Sequence, residues 1–229
     1  MVDAASSTLV TIDGWRSAFP GAVVGALAMR GVGNPAHSPT LEVAKRRLEE
    51  QLRSGAPGAD AERVLRAYAG YYRARGKTYH VKAQRESVAL AGKPIPRRAA
   101  LVEAMFMAEL EDLVLTAGHD LDAVETPLRA GVTADGDRYL LLSGAEAVLE
   151  RGDMVMADGA GIVSSVIRGP DHRTRITPET RNVLFAAYAP AGVGERVVRT
   201  HLEHIRANVG LIAPEAETVE LVTRAARSH

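Results

Sequence analysis

Two residues near the middle of the sequence have side chains suited to acid–base chemistry. Glu109 falls in the centre of an apolar face with helical spacing, where a carboxylate is costly unless it is paired or lines a cavity. On a pocket floor its carboxyl would have a raised pKa or a basic partner. His119 stands beside Asp120, and an imidazole next to a carboxylate can orient water or hold a proton. Glu109 and His119 are therefore the candidate catalytic residues.

Both residues also have structural interpretations. Glu109 could form a buried ion pair with an arginine of residues 63–98. His119 follows Gly118, which is predicted to end a helix, and a histidine there is an ordinary partner for the negative end of the helix dipole.

A cluster of polar residues follows the Gly-Pro turn at residues 169–170. Polar side chains in such a loop can form the rim of a binding site, or they can cap the turn that follows. The candidate substrate-binding residues are Asp171, His172, Arg173 and Thr174.

Two histidines in the last predicted helix, His201 and His204, have a spacing that can chelate a metal ion. The sequence implies no third ligand for them. We therefore predict neither a metal nor a cofactor.

Charge is distributed unevenly, although the formal net charge is zero. Residues 63–98 contain ten Lys or Arg and one acid, whereas residues 99–137 contain nine acids and one base. Cations interleaved with tyrosines are typical of single-stranded nucleic-acid binding, although two of the four tyrosines, Tyr68 and Tyr72, share an apolar face that favours the core. The two segments could instead pack together and neutralise each other. The candidate phosphate-binding residues are Arg73, Arg75, Lys77, Lys82 and Arg85.

Regular patterns indicate the elements that must position these residues. Helices are predicted at 42–53, 60–74, 98–115 and 194–208, and strands at 22–29, 128–133, 138–142, 154–157, 161–167 and 182–188. Residues 213–229 are expected to be a loose terminal helix or a tail. Helices first and clustered strands after predict an α+β fold with a mixed or antiparallel sheet flanked by helices.

The composition excludes some kinds of chemistry, and the absence of common motifs argues against several classes of protein. The 229 residues include no cysteine, which excludes disulfides, thiolate metal sites and a cysteine nucleophile. Dinucleotide-binding, P-loop, α/β-hydrolase and zincin motifs are absent from the sequence. No signal peptide or apolar run of membrane-spanning length is found, so we expect a cytoplasmic protein without a membrane partner.

Four stretches of the sequence resemble the B3/B4 domain, the tRNA-binding and editing domain of the phenylalanyl-tRNA synthetase beta subunit. They are Gln-Arg-Glu-Ser-Val-Ala-Leu at 84–90, Ala-Gly-His-Asp-Leu-Asp at 117–122, Asp-Gly at 158–159, and the run from Arg173 to Phe185. The resemblance covers nearly half of the chain, and the last block is its most specific part. It implies a free-standing relative, but it does not explain the first 60 residues or the C-terminal tail. We expect a single domain, with residues 1–60 as its N-terminal part, 61–212 as the B3/B4-like body and 213–229 as a C-terminal tail.

In the synthetase this domain hydrolyses wrongly attached amino acids, mainly tyrosine, from the tRNA for phenylalanine. The resemblance thus implies a pocket for the aminoacyl 3′ end of a tRNA. If the ester is hydrolysed there, we expect His119 and Glu109 to orient the water. Arg173 and Thr174 would line the pocket, and the basic segment would hold the phosphates. It implies no aminoacylation core.

The sequence departs from the family pattern at the predicted pocket. Residues 98–106 lack both family asparagines, Ala117 stands where the synthetase has its pocket histidine, and Arg173 lies near the position of the glutamate that reads the tyrosine hydroxyl. These changes, and the neutral net charge, favour the alternative of a small-molecule or amino-acid-binding protein that uses the same pocket without RNA.

Overall fold

The computed structural model describes residues 9–55 and 59–227. Its helices are α1 (Asp13–Ala18), α2 (Pro39–Ser54), α3 (Ala59–Arg73), α4 (His80–Ala89), α5 (Ala100–Asp112) and α6 (Glu195–Gly210). Its strands are β1 (Val10–Thr11), β2 (Val23–Arg30), β3 (Thr116–Asp120), β4 (Leu128–Val132), β5 (Arg138–Leu140), β6 (Glu146–Val148), β7 (Met154–Ala157), β8 (Ile162–Ser165), β9 (Gly169–Pro170), β10 (Asn182–Ala189) and β11 (Glu217–Ala225).

A four-stranded antiparallel sheet, in the order β11-β2-β10-β3, forms the centre of the fold. Strands β2 and β10 pair along their whole lengths, from Val23 opposite Ala189 to Arg30 opposite Asn182. Seven of the eight residues of each strand are buried. Because neither strand has a polar face, the sheet must be covered on both sides.

Helices cover one face of this sheet and a second sheet covers the other. A Cβ built on Gly25 of β2 would lie 2.6 and 2.9 Å from Val198 and Leu202, so the glycine is what allows α6 to lie directly on the strand. On the opposite face, the Tyr188 hydroxyl of β10 hydrogen bonds to Ser164 of β8. The second sheet has the order β1-β4-β7-β8-β9, with β1 parallel to β4 and the other pairs antiparallel, and β5 and β6 form a separate hairpin. The predicted α+β class with a mixed or antiparallel sheet is confirmed.

The tyrosines of the basic segment belong to the core. Tyr68, Tyr71, Tyr72 and Tyr79 are at most 8% exposed, and the rings of Tyr68 and Tyr79 stack with centroids 4.4 Å apart. Their hydroxyl groups hydrogen bond to buried backbone or carboxylate atoms. These rings are therefore not available to stack on nucleic-acid bases.

Two sequence-based expectations about this fold are wrong. The helix predicted for 98–115, with Gly118 as its end, stops at Asp112, because Leu113 adopts a left-handed φ of 62° and the chain then enters β3. His119 is consequently a strand residue and does not meet a helix C-terminus. The expected loose terminal helix or tail is also replaced by β11, which pairs antiparallel with β2 across residues Glu217–Ala225. Within the described residues, no helix is long and apolar enough to cross a membrane.

The hydroxyl of Tyr71 connects α3 to the second sheet and provides a test of this packing. It donates to Asp153 Oδ1 at 2.5 Å and accepts from Met154 N at 2.7 Å. We expect Tyr71→Phe to lower the free energy of unfolding by about 1–3 kcal/mol, because it leaves a buried carboxylate oxygen and a buried amide without this partner. Urea denaturation measures the loss. Tyr72→Phe is the control, because its hydroxyl donates to the neutral carbonyl of Val166 and its loss should cost about 1 kcal/mol. Equal losses in the two variants would contradict the assignment.

Candidate functional site

A cleft of about 240 Å³ lies at the outer edge of β3, between α5 and the β8–β9 hairpin. Strand β3 is at the end of the central sheet, so part of its backbone faces this cleft rather than another strand. The cleft is lined by Glu109, by His80 and Tyr188, and by residues 115–117 and 165–170.

Glu109 is the buried acid of the cleft. Its side chain is 5% exposed, and its Oε1 accepts a hydrogen bond of 2.8 Å from the backbone N of Thr116. No cation lies within ion-pair distance of it among the residues that the structure describes, so the expected ion pair with an arginine of 63–98 is wrong. Burial raises the pKa of the Glu109 carboxyl to about 8, against the lowering effect of the Thr116 amide. Near neutral pH the group is mostly protonated, and it can donate a hydrogen bond to a ligand.

His119, further along β3, is fully buried and belongs to a network of hydrogen bonds. Its Nδ1 lies 2.7 Å from Thr174 Oγ1, and the Thr174 hydroxyl in turn donates to Asp171. Because the Thr174 proton is directed to the carboxylate, the imidazole donates from Nδ1 and presents a bare Nε2. That Nε2 is buried and has no hydrogen-bond partner among the described atoms. Burial lowers the pKa of His119 to about 4, so the ring is neutral at pH 7.

Arg173 and His172 are held in place by hydrogen bonds to neighbouring protein groups. The Arg173 Nη2 donates to both oxygens of Asp158, at 2.9 and 2.8 Å, and its Nη1 donates to the carbonyl of Ala123 at 2.6 Å. His172 Nδ1 lies 3.1 Å from the Nη1 of Arg175. Arg173 therefore links its own loop to the loops that contain Ala123 and Asp158, and Asp158 is fully buried.

The structure thus separates the predicted site residues into two groups. It brings His119, Asp171 and Thr174 together, but neither these residues nor His172 and Arg173 line the cleft of Glu109. His119 and the cleft residue Ala117 lie on the same face of β3, two positions or about 7 Å apart, so the two groups are neighbours. The catalytic role of His119 and Glu109, and the substrate-binding role of residues 171–174, stay predictions.

The predicted phosphate-binding residues differ in their availability. Arg75 lies over the Tyr71 ring at 3.7 Å and donates to the Gly152 carbonyl, and Arg85 donates to the carbonyl of Leu110 at 2.6 Å. The three others, Arg73, Lys77 and Lys82, are exposed. Arg85 packs on the end of α5, where its charge interacts favourably with Glu111 and Asp112, although no pair within 4 Å joins a cation of 63–98 to an acid of 99–137 among the described residues.

His201 and His204 converge on one carboxylate that the sequence analysis did not single out. His201 Nδ1 lies 3.0 Å from Asp112 Oδ2, and His204 Nδ1 lies 2.9 Å from the same oxygen. On its other side, His201 Nε2 lies 2.6 Å from Thr116 Oγ1. No group of three or more His, Asp or Glu side chains within the described ranges is arranged to hold a metal ion. Thr116 and Asp112 carry no local signal in the sequence, because the contact joins segments 85 residues apart.

Glu109→Gln tests the buried carboxyl through the dependence of stability on pH. The folded-state pKa of about 8 lies above the ordinary value of 4.5, so the stability that the wild-type group confers is present below pH 4.5 and is lost as the pH rises through 8. Glutamine has nearly the same shape and still accepts from Thr116 N, but it does not ionise. We expect the variant to equal the wild type near pH 4.5 and to be more stable by a few kcal/mol at pH 9, in urea unfolding at both values. A constant difference between the two proteins across this range would contradict the raised pKa.

Comparison with known proteins supports the fold alone. No family model and no curated protein matches the chain. Among solved structures, the chain is similar to an N-terminal fragment of the phenylalanyl-tRNA synthetase beta subunit from Pyrococcus horikoshii, with a TM-score of 0.54 and 10% sequence identity. The likeness covers 97% of this chain and 55% of that fragment, so the chain spans about half of the fragment's length. It places the chain in the same α+β architecture as this part of a tRNA synthetase subunit.

Proposed function

We propose that this protein binds the aminoacyl 3′ end of a tRNA, with the aminoacyl group in the Glu109 cleft. The observation that carries the proposal is a buried carboxyl group that lines a cleft and lacks a cationic partner among the described residues. Perturbed acids in concave sites are characteristic of functional sites. The resemblance of the sequence to the B3/B4 domain, and the likeness of the fold to a synthetase fragment, favour an aminoacyl ester as the ligand.

The size of the cleft limits what it can hold. About 240 Å³ is close to the lower end of the range for small-molecule pockets, about 300 Å³. It accommodates one amino-acid-sized group, so the terminal adenosine and its phosphates would lie outside, over the rim. His80 and Arg168 line this rim, and the exposed Lys77 lies three residues before His80. The cations Lys77 and Arg168 suit a phosphate backbone, whereas burial lowers the pKa of His80, which contributes a neutral imidazole.

Glu109 would recognise the ester group. In its protonated form it donates a hydrogen bond to the ester carbonyl, while Thr116 N keeps its Oε1 in place. If the bound ester is hydrolysed, as in the editing domain, the same hydrogen bond would stabilise the developing oxyanion. His119, two residues after Ala117 on the same face of β3, would help to orient the attacking water.

A second candidate function is binding of a free amino-acid-like molecule without RNA. It is favoured by the burial of the four tyrosines and by the internal hydrogen bonds of Arg75 and Arg85, which reduce the surface available for nucleic acid. Both candidates use the same cleft, and they differ in whether the polynucleotide contributes to affinity.

Binding of charged and uncharged tRNA distinguishes them. We expect the phenylalanine tRNA charged with tyrosine to bind about tenfold more tightly than the uncharged tRNA at low salt, the value of one additional hydrogen bond and its packing. Glu109→Leu should abolish this difference without changing the affinity for uncharged tRNA. Glu217→Gln, at the exposed start of β11 on the opposite edge of the sheet from β3, should change neither. Filter binding measures both affinities.

The dependence on pH and salt provides a second readout. The preference for charged tRNA should decline above about pH 8, because Glu109 then loses the proton that it donates. Affinity for both forms should decrease with salt, since the contacts at the rim are to phosphates. Equal binding of charged and uncharged tRNA would contradict the proposal. Saturable binding of free tyrosine with no retention of tRNA would establish the second candidate.

A further inference from the structure

A hydroxyl, an imidazole and a carboxylate are aligned where α5, β3 and α6 meet. Thr116 Oγ1 lies 2.6 Å from His201 Nε2, and His201 Nδ1 lies 3.0 Å from Asp112 Oδ2. His201 is fully buried, Thr116 is 6% exposed, and the Asp112 side chain is 13% exposed. The order of the groups and the nitrogen used at each contact are those of a nucleophile–base–carboxylate triad, which is recognised by its geometry rather than by its order in the chain.

The protonation states follow from the hydrogen bonds. Burial raises the pKa of the Asp112 carboxyl, but the hydrogen bonds from His201 and His204 outweigh it and hold the pKa below its usual value. An ionised carboxylate only accepts, so His201 carries a proton on Nδ1, and the neutral form of the ring has its lone pair on Nε2. The Thr116 hydroxyl must then donate to that lone pair. His204 contributes a further hydrogen bond to Asp112 at 2.9 Å and fixes the carboxylate in this orientation.

We propose that Thr116, His201 and Asp112 are the nucleophile, general base and orienting carboxylate of an acyl-transfer site that takes the acyl group of a small carboxylic ester. Thr116 lines the same cleft as Glu109, so an ester whose carbonyl accepts a hydrogen bond from Glu109 would lie beside Thr116. The inference shares with the proposed function only this cleft, and it needs no RNA.

The reaction is a two-step hydrolysis through an acyl-enzyme. Thr116 Oγ1 attacks the carbonyl carbon of the ester and its proton passes to His201 Nε2. The bond from the carbonyl carbon to the alcohol oxygen breaks, and the alcohol leaves with that proton, while the acyl group stays on Thr116 as an ester. A water then gives its proton to His201 and attacks the acyl group, which leaves as a carboxylic acid while Thr116 recovers its proton. Water is the only co-reactant.

The test uses the full chain with p-nitrophenyl acetate as the probe. We expect p-nitrophenolate release with an initial burst, and a single acetyl group located on Thr116 by mass spectrometry of peptides. Thr116→Val, which keeps the shape and removes the hydroxyl, should abolish the Thr116 adduct and the burst. Thr116→Ser should restore both, and Thr218→Val, in the strand at the far edge of the sheet, should leave them unchanged. Asp112→Asn should slow acylation by about 10²–10⁴-fold, because it disfavours the tautomer that His201 needs.

Two kinds of result would overturn the inference. One is acetylation confined to other side chains in the wild type; the other is a burst that persists in Thr116→Val, provided that thermal unfolding shows the variant to be folded. Binding of charged tRNA, measured on the same proteins, separates this inference from the proposed function. If charged tRNA binds and no Thr116 adduct forms, the triad is contradicted and the proposed function is retained. If the adduct forms and tRNA does not bind, the triad is retained and the proposed tRNA ligand is contradicted.

Discussion

The burial of β2 and β10 on both faces is the constraint on which the rest of the fold depends. Two adjacent strands without a polar face require cover on each side, which α6 supplies through the contact at Gly25 and the second sheet supplies through Tyr188. The edges of the sheet are left to β11 and β3. The cleft is a consequence of this arrangement, because the outward amide of Thr116 in an edge strand needs an acceptor, and Glu109 provides it.

Three buried acids differ in the partners that compensate the burial of their carboxyl groups. Glu103 pairs with the buried Lys45 at 2.9 Å, and Asp153 accepts from the hydroxyls of Tyr71 and Ser165. Glu109 has only a backbone amide, and burial raises its pKa to about 8. A pairing cation or a second hydrogen-bond donor would have lowered the free-energy cost of burying the Glu109 carboxylate. The absence of such a partner within the described residues is what distinguishes a site from a structural acid, since groups kept for function are often held at a cost in stability.

The alternation of side chains along β3 separates the two histidine systems. Ala117 and His119 point toward the second sheet, where His119 joins Thr174. Thr116 points the other way, toward α6, where it meets His201. The strand therefore has an imidazole on each face, one with a buried nitrogen that has no partner among the described residues and one in contact with the Thr116 hydroxyl. The proposed recognition of an acyl group and the proposed acyl transfer both depend on this one edge strand.

Local pattern by itself determined the fold class, most of the strands, the helix at 39–54 and the anomaly of Glu109, since periodicity and burial cost are properties of neighbouring residues. It did not determine where α5 ends, because the apolar residues 113–115 could continue the helix, whereas in the structure the chain leaves the helix at Leu113 and pairs with β10 from Thr116 onward. Nor did it assign β11, whose pairing with β2 spans nearly the whole chain. The contact of Thr116 and Asp112 with His201 was decided by the tertiary structure alone, because hydrogen bonds between segments some 85 residues apart leave no periodic trace in either of them.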